Sequence, residues 1–131
     1  MHTMQNIEQY LKAILTERTT VVDDPVYLWD CVSFPSSGIG RTASATIDTR
    51  FVKKLSIVCD NLHSTHLYID IGGANTADGT IPVILNTIEL DAVNLSNGYI
   101  TTELYPFTII RVINLDNENT GIVTVTYVIT R

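Results

Sequence analysis

The sequence predicts an all-β fold: an antiparallel β-sandwich of jelly-roll type, about eight strands, with one N-terminal amphipathic helix. Three observations predict it. From Phe51 to Arg131 one strand pattern follows another, rich in Ile, Val, Thr and Tyr. Such branched and aromatic side chains fit a pleated, half-buried surface. Clusters of Gly, Pro, Asn and Asp interrupt the pattern at short intervals, as turns require. Strands do not alternate with helices, which argues against a parallel sheet. At 131 residues the chain fits one domain. It divides into a helix, 1–18, and a β-sandwich, 19–131.

The helix is predicted over residues 4–18. Ile7, Tyr10, Leu11, Ile14 and Leu15 recur at helical spacing and make one apolar stripe. Asn6 and Gln9 have the spacing of a capping box, and Glu8 and Lys12 that of a favourable ion pair. Four turns do not hold alone in water, so the stripe must pack on something. It either covers the sheet domain or packs on another subunit. The second reading makes Ile7, Leu11, Ile14 and Leu15 oligomer contacts.

Residues 19–22 form a short strand candidate that ends at Asp23-Asp24-Pro25. Val26 to Phe34 follows, and alternation there places Trp29 and Cys31 on the core face. Pro35 to Gly40 is a loop by composition. Ala43 to Thr49 is a small-residue strand. Phe51 to Cys59 turns Leu55, Ile57 and Cys59 to one face, and His66 to Ile71 does the same with Leu67, Ile69 and Ile71. These two runs are expected to pair as a hairpin across 60–65. Gly72 to Thr80 is a long Gly, Asn and Asp loop. Ile81 to Leu90, Tyr99 to Tyr105, Phe107 to Leu115 and Ile122 to Thr130 complete the strands, with Pro106 separating two of them.

Composition excludes some functions. Net charge is −6, and the eight basic residues are scattered, so nucleic acid is not an expected partner. No segment approaches the ~20 apolar residues of a membrane span, and the N-terminus lacks a secretory pattern. The expected location is therefore the cytoplasm of the producing cell, or a virion. Charged residues are only 17%, with Thr and Asn in their place, a surface suited to close neighbours in an assembly. Cys31 and Cys59 are expected as free thiols in a reducing compartment, or as a disulfide if their strands are neighbours.

Three groupings carry possible chemistry. Cys59, His63 and His66 are zinc-ligand types, though their C-x3-H-x2-H spacing matches no common structural site. The loop from Asp70 to Thr80 offers oxygen ligands and glycines, without the D-x-D-x-D-G spacing of a calcium loop. Its Asp70, Asn75 and Asp78, with Tyr68 turned outward, make a candidate ligand site, carbohydrate first. No Ser lies in a G-x-S-x-G setting and no carboxylate pair stands out, so catalysis and cofactors are not expected.

The segments Phe51–Ile57, His66–Ile71, Glu103–Val112 and Gly121–Val128 together resemble small β-sandwich virion and tail-associated proteins of bacterial and archaeal viruses. The resemblance covers about 60% of the chain and rests on pattern, with no diagnostic motif. It implies assembly or binding, and supplies no functional residues. The expected function is thus a non-catalytic structural or assembly protein, viral and homo-oligomeric, with other virion proteins as further partners. The alternatives are a carbohydrate- or other ligand-binding module using loop 72–80, and a small metal-dependent enzyme.

Overall fold

In a computed structural model, residues 7–9, 20–36, 42–63, 65–78, 81 and 83–131 are described. Eight strands follow in order: β1 (Val26–Phe34), β2 (Thr42–Asp48), β3 (Lys54–Asn61), β4 (Leu67–Ala74), β5 (Val83–Leu90), β6 (Ser96–Thr101), β7 (Phe107–Asn114) and β8 (Gly121–Thr130). They form two four-stranded sheets, ordered β1-β8-β3-β6 and β2-β7-β4-β5. Every pairing is antiparallel. Successive strands cross from one sheet to the other except at β4–β5, which is a hairpin within the second sheet. This is the double Greek-key arrangement of a jelly roll.

Period-two alternation builds the core. Leu55, Ile57 and Cys59 of β3 face Leu67, Ile69 and Ile71 of β4 across the sandwich, joined by Val112 and Val125, all essentially inaccessible to water. Each such aliphatic side chain contributes about 1.5–3 kcal/mol on burial. The expected β3–β4 hairpin is therefore corrected. Both strands have the inward faces that the alternation predicts, but they lie in opposite sheets. Alternation fixes which face is buried; it does not say whether two strands sit side by side or face to face.

β1 departs from alternation. Its pairing with β8 shifts register on both sides of Trp29, and Cys31 takes a φ of 50°. Trp29 stays half-buried and meets Phe34 edge-on, with centroids 5.7 Å apart, while Cys31 is turned out to solvent. The expected core position of Cys31 is thus corrected by a bulge that the residue types do not announce. Of the short strand expected at 19–22, the described residues show a bridge, Val22 to Thr130, flanked by bonds between Val21 and Arg131.

Residues 7–9 are helical, and Ile7 is 50% exposed. The rest of the expected helix, including Leu11, Ile14 and Leu15, lies outside the described residues. No helix among the described residues is long and apolar enough to cross a membrane.

Candidate functional site: an aromatic end of the sandwich

The strands bring their connections together at two ends. One end gathers residues 49–53, 75–78 and 102–106, since Asp48, Phe107 and Ala74 lie in one row across β2, β7 and β4. The turn at 49–53 is held from several directions. Thr49 is buried; its N–H donates to the Pro106 carbonyl at 3.0 Å, and its hydroxyl donates to the Tyr105 carbonyl at 2.7 Å. That hydroxyl also meets the Thr108 hydroxyl at 3.1 Å. Val52 N–H donates to the Thr49 carbonyl at 3.3 Å and closes the turn.

Arg50 is equally fixed. Its Nη2 and Nε donate to the two Asp48 carboxylate oxygens at 2.7 and 3.0 Å, and its guanidinium lies 5.2 Å from the Phe107 ring centroid. The Arg50 side chain, then its backbone N–H, holds the Asp48 carboxyl down at about 2. Between these anchors stands Phe51, with a φ of 63° and 92% of its surface exposed. A left-handed backbone costs a residue with a Cβ about 1–2 kcal/mol, and exposure of an apolar ring returns nothing. Residues this costly concentrate at functional sites.

A cavity of about 340 Å³ lies beside Phe51, lined also by Thr49, Val52, Leu104 and Tyr105. A second, of about 460 Å³, lies on the β5 side and is lined by Val83, Ile84, Leu85, Glu103, Leu104 and Tyr105. Leu104 and Tyr105 are the wall the two share. The Tyr105 ring sits against Gly73, where an added Cβ would overlap it, so the glycine of β4 sets the ring's place.

The residues singled out from the sequence fall elsewhere or apart. Tyr68 and Asp70 lie along β4, with Tyr68 about 20 Å of strand from Ala74 at the aromatic end. Asp70 is only 8% exposed and is occupied: Arg111 Nη2 donates to it at 2.6 Å and Thr87 Oγ1 at 2.9 Å. Tyr68 packs edge-on against His66, whose Nε2 meets Glu89 Oε1 at 2.6 Å. Asn75 and Asp78 are exposed in the β4–β5 connection, at the aromatic end. The four proposed ligand residues therefore do not form one cluster.

The metal grouping is also corrected. Cys59 is sealed in the core, where burial pushes its thiol up to about 12. His63 is exposed in the β3–β4 connection, and His66 is engaged with Glu89 on the outer face of the other sheet. No three His, Cys, Asp or Glu residues among the described ones are placed to share a metal. Nor is the disulfide formed: both thiols are free. β8 lies between β1 and β3, so the cysteines are two strand spacings apart, about 10 Å, beyond the reach of a disulfide.

The opposite end is polar. Buried Asn114 donates to the carbonyls of Phe34 and Asn119 at 2.9 and 3.1 Å, and buried Asn61 donates to the Thr65 carbonyl at 2.6 Å. A cavity of about 520 Å³ there is lined by His63, Thr65, Asn119 and Thr120. Phe51 has no signal in the sequence because it reads as the start of a strand, whereas Tyr105, read as the end of one, is among the aromatic residues, with Tyr68, Tyr99 and Trp29, that the sequence offers as a sugar platform. The signal for its place was Pro106, which breaks the ladder just after Tyr105 and so places that ring in a connection.

Fold and site together define a class, a jelly roll that presents an exposed aromatic residue at one end. No family model matches the chain, and no curated protein matches it. Among solved structures, it is similar to a family 35 carbohydrate-binding module from Clostridium thermocellum. The TM-score is 0.45 at 6% identity, over 82% of this chain and 90% of that one. It is also similar to PirA, with a TM-score of 0.39 at 14% identity, over 86% and 85%. Likeness at this level carries nothing about ligand or role. Neither structure is named as a virion protein, and the resemblance drawn from the strand pattern has no support from them.

Proposed function

We propose that the protein is a non-catalytic binding module that holds a carbohydrate at the aromatic end of its sandwich, with Phe51 as the stacking platform. The observation that carries this reading is Phe51 itself: an exposed ring kept in a costly backbone conformation by a turn anchored through Thr49, Asp48 and Val52. A ring face buries sugar C–H surface, and the bonds of Thr49, Asp48 and Val52 fix the backbone that carries this ring, which lowers the ordering cost of binding. Arg50 and Asp48 at this turn are paired with each other and Lys53 donates to the Thr20 hydroxyl, an arrangement that suits holding a ligand better than moving protons. Titration calorimetry against neutral oligosaccharides tests it. Binding that falls at least tenfold in Phe51→Ala supports the reading; equal binding by wild type and variant removes it.

A second reading, self-assembly, is favoured by the outer face of the first sheet. Tyr27, Val58 and Ile100 are exposed there among Thr124, Thr126 and Ser56. Along β3 the only charges are Lys54 at one end and Asp60 at the other. A second copy related by a two-fold axis across β3 would set Lys54 against Asp60. Solution mass of wild type and Val58→Glu decides it: a dimer lost in the variant supports this reading, and a monomer at millimolar concentration opposes it.

A further inference from the structure

We infer that the ligand is an uncharged chain bound along its length, with one stretch on each side of the Leu104–Tyr105 wall, rather than a single sugar or a polyanion. This rests on the carbohydrate reading above and deepens it. Two features of the aromatic end carry it.

The first is width. The Phe51 cavity opens beside the end of β2, and the other is lined by Val83 and Ile84 at the start of β5. β2 and β5 are the two edges of the second sheet, with β7 and β4 between them. Three strand spacings separate the edges, about 14 Å. That is longer than one sugar ring, and a ligand confined to one ring would leave one cavity empty. The walls also differ. The β2 side presents a ring face at Phe51, whereas the β5 side presents the exposed aliphatic side chains of Val83 and Ile84. A chain crossing the wall meets both, and its second contact is then intramolecular, which multiplies affinity without strengthening either contact.

The second feature is charge. Arg50 is the one cation lining either cavity among the described residues, and its charge is paired with Asp48 through Nε and Nη2. Glu103, on the β5 side, makes no side-chain hydrogen bond or ion pair with the described residues. Among the lining residues the one charge without an ionic partner is therefore negative, in a chain of net charge −6. Across the two cavities a polyuronate would meet Glu103 with no unpaired cation among the lining residues to offset it; Lys53, at the edge of the turn, donates to Thr20 Oγ1 at 3.3 Å.

The test uses the full chain, labelled for amide NMR, with β-linked neutral hexasaccharides of glucose, mannose and xylose, the matching monosaccharides, and a galacturonate hexamer. The expected result is that at least one neutral hexamer shifts the amides of residues 50–52 and of 83–85 together, and binds at least tenfold tighter than its monosaccharide. Ile84→Asp should weaken the hexamer at least fivefold, and by a larger factor than it weakens the monosaccharide. Glu103→Gln should bring the galacturonate hexamer nearer to the neutral ones. Shifts confined to residues 50–52, or equal affinity for hexamer and monosaccharide, overturn the chain inference while leaving the Phe51 reading standing. Preferred binding of galacturonate overturns the charge argument. No shift at 50–52 with any sugar overturns both this inference and the function it rests on.

Discussion

The two ends of the sandwich solve the same problem in opposite ways. At the polar end, connections between sheets are held by side chains that satisfy backbone groups. Asn114 bonds two carbonyls, its own Oδ1 accepts from Asp116 N–H at 2.8 Å, and Asp116 Oδ1 accepts from Glu118 and Asn119. Asx turns of this kind need no unusual backbone. At the aromatic end the turn is just as firmly held, through Thr49 and Asp48, yet it carries Phe51 in a left-handed conformation that its own side chain disfavours. A connection that only joins strands has no use for that cost. The contrast separates a connection built for stability from one built to present a side chain.

If this contrast is right, the largest loss of stability should come from the polar end. Asn114→Ala orphans the carbonyls of Phe34 and Asn119, at about 1–3 kcal/mol each, so a total near 3 kcal/mol is expected in urea unfolding. A loss under 1 kcal/mol would mean that water replaces Asn114 freely. Thr49→Val removes one buried hydroxyl and its bonds to Tyr105 and Thr108, and should cost about 1–2 kcal/mol. It should also weaken sugar binding, because the turn that aims Phe51 loses an anchor. A variant as stable as wild type would show that the turn is held without Thr49.

Acid should act on both ends in the same window. Asp48 is held low by its hydrogen bonds to Arg50, Asp91 by the backbone N–H groups of Asn94 and Val93, and Asp116 by Asn119 and Glu118. Folded carboxyls below the ordinary value of 3.8 contribute stability that is whole above that value and is lost as pH falls through the folded one. The thermal midpoint is therefore expected to stay level from neutral pH to about pH 4.5 and to fall toward pH 2. Asp48→Asn and Asp116→Asn should each flatten that fall. A midpoint that falls equally steeply in both variants would show that other carboxylates set it.

Much of the fold is legible in the sequence, because β3 alternates throughout and β8 does so up to Val125, and a face buried in this way leaves a clear period; β4 alternates only from Leu67 to Ile69 and is buried on both faces beyond. Val26–Phe34 has the bounds predicted for it. Sheet membership was not legible. The β3–β4 connection looks like a hairpin because its turn residues serve a crossing between sheets equally well. The site was less legible still. Tyr68 and Asp70 stand out by chemistry, yet Asp70 is held by Arg111, a partner 41 residues away that only the fold supplies. Phe51 does not stand out at all. What marks it is a backbone angle and an exposure, and neither has a signature in residue type.

The most direct test of that reading is the stability of Phe51→Gly, measured by urea unfolding beside its sugar affinity. Glycine relieves a left-handed cost of about 1–2 kcal/mol and gives back about 0.5–1 kcal/mol in chain entropy. The account predicts a variant about 0.5–1 kcal/mol more stable than wild type that no longer binds sugar. A variant destabilised by about 1 kcal/mol or more would contradict it, since Phe51 would then be a packing residue and the turn a structural one.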